Sequence, residues 1–77
     1  MSARAATRLL VRALELLEAK DDDEWTDAAS VKSQIRRLDP SFNERILGYK
    51  SFTDFVKSRN SLVEVRTDGH ERMVRLR

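Results

Sequence analysis

The chain contains no cysteine, so disulfides and thiolate metal sites are excluded and its stability must come from an apolar core. It has a single histidine, His70, which excludes the paired-imidazole arrangement of most transition-metal sites. Two glycines and one proline are too few for a glycine-rich phosphate loop or a flexible linker. The longest apolar run is Leu9-Leu10-Val11, far short of a membrane span, and no signal-peptide pattern opens the chain. Absence of cysteine suits a reducing compartment, and a cytoplasmic location is expected. With 77 residues there is room for one small domain and no second core. Nothing resembles a nucleophile with its base, and so small a chain cannot build a sequestered pocket. Catalysis and cofactors are not expected.

What the chain has in quantity is charge, unevenly distributed. The net charge is only +2, yet residues 1–27 carry four basic and seven acidic side chains and residues 28–77 carry eleven and six. A small domain polarised in this way presents a basic surface to an anionic partner. The acidic run Asp21-Asp22-Asp23-Glu24 lacks the alternating ligand spacing of a calcium loop and reads as a solvated loop, so no metal site is expected.

Apolar periodicity supplies the architecture. Ala6, Leu9, Leu10, Ala13, Leu16 and Leu17 recur at spacings of three and four and predict an amphipathic helix over 4–20. Its Arg4, Arg8 and Arg12, with Glu15, fall on the outer face and read as solvation. Trp25-Thr26 reads as a short extended link, and Trp25 as a core anchor tying this first strand to the C-terminal strands. Asp27 is placed to cap a second helix with Ala28, Val31, Ile35 and Leu38 in one stripe, closed by Asp39-Pro40. A helix fragment over Phe42–Leu47 is expected to end at Gly48, which supplies a left-handed residue. Ser51-Phe-Thr-Asp54 resembles a capping box and starts a helix that buries Phe52, Phe55 and Val56. Residues 62–66 and 72–76 are strand-like, and Asp68-Gly69 between them marks a hairpin. The expected fold is therefore α+β: helix, short strand, helix, short helix, helix and a C-terminal β-hairpin, a winged helix-turn-helix. It spans residues 4–77 as a single domain, with 1–3 a disordered N-terminus or a cloning remnant.

Several of these residues together resemble the LOTUS domain, also called OST-HTH. They are Trp25, Val31-Lys-Ser-Gln-Ile-Arg-Arg-Leu38, Asp39-Pro-Ser-Phe42, Gly48-Tyr49-Lys50-Ser-Phe52-Thr-Asp-Phe55 and Val63-Glu-Val65. The most specific part is Asp-Pro-Ser-Phe followed by Gly-Tyr-Lys at this distance. The resemblance implies a small RNA-binding winged helix that favours guanine-rich or quadruplex-forming RNA. It also implies service within larger proteins, beside a NYN-type ribonuclease domain in bacterial and limkain-type proteins or in germ-line proteins such as Oskar and the Tudor-domain proteins. Members with an additional C-terminal helix dock a DEAD-box helicase. This chain stops after its second hairpin strand and looks like the minimal form, for which helicase docking is not expected.

From the residues themselves, phosphate neutralisation falls to lysine and arginine. The candidate RNA contacts are Lys50, Lys57 and Arg59, with Arg36, Arg37, Arg72 and Lys32 completing the surface. Tyr49 has two readings, a ring packed in a tight corner after Gly48 or a platform for an exposed base. Two other functions compete with RNA binding: a protein-interaction module that docks a helicase or self-associates, and a duplex-DNA reader using the Ser51 helix. The last has few side chains suited to reading base edges.

Overall fold

Helix α1 (Ala3–Lys20) begins where the Ser2 hydroxyl accepts from the Ala5 N–H at 3.1 Å, so the chain is helical from the third residue. The computed structural model describes residues 1–20 and 24–77; the acidic residues 21–23 lie outside the described residues. A two-residue strand, β1 (Thr26–Asp27), runs directly into α2 (Ala28–Leu38), whose N-terminal amides are capped by the Asp27 carboxylate through Ser30. Helix α3 (Phe52–Lys57) starts at Ser51, whose hydroxyl accepts from the Asp54 N–H. Strands β2 (Val63–Asp68) and β3 (Glu71–Leu76) form the wing. The sheet is antiparallel throughout, in the order β1-β3-β2. This is the α+β winged helix-turn-helix that the apolar pattern implies.

Alternation assigns the two faces of the sheet. Val63, Val65, Val74 and Leu76 point to the helices, and Val63 and Val74 are buried. They close a core with Ala6, Leu10, Ala13 and Leu14 of α1, Val31 and Ile35 of α2, and Phe42, Phe52, Phe55 and Val56. Phe55 is its hub: its ring centroid lies 5.5 Å from that of Phe42, 5.5 Å from that of Tyr49 and 6.0 Å from that of Phe52. The hairpin turns on Gly69 and His70, with Gly69 at φ 61, the positive value a two-residue loop requires at its first position. Because β1 is so short, β3 extends beyond it, and there the Leu76 N–H donates to the Glu18 carboxylate of α1 at 2.9 Å.

Four local expectations are corrected. The buried stripe of α1 is rotated towards Leu14, which is fully buried, and away from Leu16. Trp25 lies half-buried beside the wing and not within the core. Leu38 is 40% exposed, because Asp39 adopts an extended backbone and carries the chain out of α2 before the core is reached. Phe42 returns to the core in its place. The segment Phe42–Leu47 is not a helix but hydrogen-bonded turns. Phe42 N–H is held by the Asp39 carbonyl, the Asn43 side chain accepts from the Arg45 N–H, and only one turn remains before Gly48. That turn closes with Tyr49 N–H on the Glu44 carbonyl and Gly48 N–H on the Arg45 carbonyl, the pairing of a Schellman motif. Gly48, at φ 98, supplies the left-handed residue expected of it.

Replacing Phe55 by Ala removes the ring shared by three aromatic neighbours and is expected to cost about 3–5 kcal/mol. In so small a domain urea unfolding should then show little or no native baseline. Replacing exposed Leu38 by Ser should change stability by no more than about 0.5 kcal/mol in the same measurement.

Candidate nucleic-acid interface

The eight cations and aromatics singled out by the sequence divide into two groups once their partners are known. Arg36 and Arg37 occupy the last turn of α2, where positive charge complements the helix dipole, and both are exposed. Lys50 is exposed in the bend that leads into α3, and Lys57 is exposed at the end of that helix. None of these four forms an ion pair with a carboxylate among the described residues. Arg72 is half-buried on β3 opposite Thr67, towards the tip of the wing.

Lys32, Arg59 and Tyr49 have partners within the fold. Lys32 donates to Glu44 at 2.7 Å, joining α2 to the turn that precedes Gly48. Glu44 is only 7% exposed. Burial pushes its pKa up, but the Lys32 hydrogen bond, its own backbone N–H and the Lys32 and Arg45 charges outweigh that and hold it below the ordinary value. Arg59 donates from Nε to Thr7 Oγ1 at 2.7 Å and from Nη1 to the Tyr49 hydroxyl at 3.2 Å and Ser58 Oγ at 2.9 Å. Its guanidinium lies 5.3 Å from the Phe55 ring centroid and 5.8 Å from that of Tyr49. Arg59 thus ties α1 to the end of α3 across 52 residues of sequence. Ser58 and Arg59 also lower the pKa of the Tyr49 hydroxyl. The ring of Tyr49 packs on the core, the first of its two readings.

Two side chains at this corner escape sequence reasoning. Arg45 and Ile46 fall within the expected fragment helix; in the turn that replaces it both are exposed, Ile46 by 77%. Their sequence carries no signal for this, since an isoleucine beside Leu47 reads as core. Of the amides at the start of α3, Asp54 N–H is engaged by the Ser51 hydroxyl and Phe55 N–H by the Ser51 carbonyl. Helix α3, on which the duplex-DNA reading relies, is six residues long.

No group of histidine and carboxylate side chains among the described residues is arranged to hold a metal ion. No helix among them is long and apolar enough to cross a membrane.

Comparison with protein families decides between winged helices. The profile of the OST-HTH/LOTUS domain matches residues 2–75. The chain belongs to the OST-HTH/LOTUS domain family. LOTUS domains are modules that bind RNA or other proteins, and the match covers nearly the whole of this one. The solution structure of an uncharacterized protein from Nitrosomonas europaea is similar, with a TM-score of 0.69 and 26% identity. The similarity covers 91% of this chain and 70% of that one. Comparison with functionally curated proteins gives no significant match.

Within this LOTUS domain the Lys32–Glu44 pair makes a testable contribution to stability. Lys32→Ala leaves a buried carboxylate without its partner and is expected to cost about 1–3 kcal/mol in urea unfolding at neutral pH. Acid has a related effect. Glu44 and Asp39, which accepts from the Ser41 hydroxyl and N–H, both have depressed pKa values in the folded state. Their stabilisation is present above the ordinary values of 4.5 and 3.8 and is lost as pH falls through the lower folded values. Urea midpoints should hold steady down to those ordinary values and decline below them.

Proposed function

We propose that this domain is a non-catalytic RNA-binding module that favours guanine-rich RNA in quadruplex form. It acts through the surface carrying Arg36, Arg37, Lys50 and Lys57, with Arg45 beside them and Arg72 on the wing. The observation that carries the reading is the division of the cations. Lys32 and Arg59 are held by partners inside the domain, while the four exposed ones around the helix-turn-helix have no carboxylate among the described residues. Free cations gathered on one module release counterions when they meet phosphates. A folded quadruplex offers a high phosphate density and a flat terminal guanine plate. Ile46 is the apolar side chain at this corner that such a plate can cover, in the role that the sequence alone offers to Tyr49.

Such a module brings RNA to a larger protein, and a NYN-type ribonuclease domain in the same polypeptide is the partner that best suits it. Family resemblance supports both the ligand and this setting. A cytoplasmic site of action agrees with them.

A competition titration of quadruplex RNA, unstructured RNA and duplex DNA at two salt concentrations tests the proposal. Quadruplex RNA should bind most tightly and lose affinity steeply with salt. Lys50→Glu combined with Lys57→Glu should weaken binding by about 10-fold or more and flatten the salt slope, with circular dichroism unchanged. Ile46→Ser should reduce the preference for the quadruplex over unstructured RNA. Equal affinity for all three nucleic acids, or binding unaffected by the double substitution, would refute the assignment.

A further inference from the structure

The outer face of the sheet, turned away from the helices, has a different character from the basic corner. Alternation puts Glu64, Arg66 and Asp68 of β2 and Glu71, Met73 and Arg75 of β3 on it. Trp25, next to the strand residue that pairs with Val74, joins them. The guanidinium carbons of Arg66 and Arg75 each lie 4.5 Å from its ring centroid. The two arginines are held differently. Arg75 is saturated, with Glu64 at 3.1 Å and Glu24 at 3.0 Å. Arg66 is exposed and has no carboxylate partner among the described residues, so only its stacking on Trp25 need be broken to move it.

At the tip of the same face, Asp68 and Glu71 stand directly opposite each other in the ladder. Like charges in that position repel and destabilise a hairpin. Both are exposed, and no described cation pairs with either. The face thus holds an aromatic ring that already accepts guanidinium groups and, beyond it, a carboxylate pair without a cation. Four residues of extended strand separate Glu71 from Arg75, the neighbour of Trp25, a distance of about 14 Å.

We propose that this outer sheet face docks an extended basic peptide segment of a partner protein. One arginine of the segment replaces Arg66 on Trp25, and a second cation, four residues along, sits between Asp68 and Glu71. The exchange on Trp25 trades one cation–aromatic contact for another, and the gain comes from relieving the carboxylate repulsion at the tip. RNA is the competing occupant of this face, but it would bring phosphates against Asp68, Glu71 and Glu24. The inference stands independently of the RNA surface around Lys50.

Trp25 is the sole tryptophan, so its emission reports directly on the face. The probe is the blocked peptide Arg-Gly-Gly-Gly-Arg, titrated at low and high salt. It is compared with Arg-Arg-Gly-Gly-Gly, with Glu-Gly-Gly-Gly-Glu and with oligo-uridine. The first peptide should give a saturable, salt-sensitive change in emission and bind more tightly than its scrambled form. Arg66→Ala should tighten it by about two- to five-fold by freeing the ring. Asp68→Asn with Glu71→Gln should weaken it at least as much; both residues are exposed and unpaired, so the fold should persist by circular dichroism. Three results would overturn the proposal. One is no saturable change at millimolar peptide, and another is equal binding of the acidic peptide. The third is oligo-uridine binding that strengthens in the Asp68/Glu71 variant and weakens in Arg66→Ala, which would assign the face to RNA.

Discussion

The packing of Phe55 against Phe42, Phe52 and Tyr49 is the interaction on which this domain depends. A chain with five aromatic residues places four of them in one cluster at the junction of α2, the connecting turn and α3. Offset and edge-on aromatic pairs add about 0.5–1.5 kcal/mol each beyond the area they bury, which matters in a domain with little core to draw on. The cluster also fixes where the turn goes. Phe42 and Tyr49 are anchored at its two ends, and the turn between them tucks Glu44 inward and leans Leu47 on the core while its remaining residues face solvent. That is why Arg45 and Ile46 are presented to solvent, and why Lys50 leaves the core immediately after Tyr49.

Around this cluster, cations do two kinds of work, and only partners distinguish them. Arg59 and Lys50 look alike in the sequence, each a basic residue near an end of α3. Arg59 has a hydroxyl of α1, the hydroxyls of Tyr49 and Ser58 and two aromatic rings within reach, whereas Lys50 has none of these. A residue drawn into so many contacts is poorly placed to neutralise a phosphate without loosening the junction of α1 and α3. The same division holds on the wing, where Arg75 is locked by two glutamates and Arg66 is not.

These differences explain which features are legible in the sequence. The helices, the Asp27 and Ser51 caps, Gly48 and the hairpin at Gly69 rest on local spacing and backbone preference, which a sequence displays. Family membership is likewise legible in Asp39-Pro-Ser-Phe42 with Gly48-Tyr-Lys50. The fate of Leu38 is not, because its periodicity is perfect and only the exit direction at Asp39 takes it out of the core. Nor is the Lys32–Glu44 pair or the Arg59–Thr7 bond, which join residues 12 and 52 positions apart with no pattern between them. The surroundings of the candidate residues are thus only partly legible. Charge nominates Arg36, Arg37, Lys50, Lys57, Lys32 and Arg59 alike, and does not tell that Lys32 and Arg59, like Tyr49, have partners inside the domain. It passes over the exposure that one turn gives to Arg45 and Ile46.

The carboxylate of Glu18 on the Leu76 N–H bears on how the sheet can grow. An incoming strand on that side would meet β1 over Met73 and Val74 and, beyond it, a backbone donor already satisfied by a charged side chain. Strand β2, by contrast, is the outer strand of the sheet and carries no such guard among the described residues. The two margins of the sheet therefore differ: one offers a full six-residue strand, the other two residues of β1 followed by a β3 amide already taken. Strand addition has more backbone to pair with along β2 than along β1.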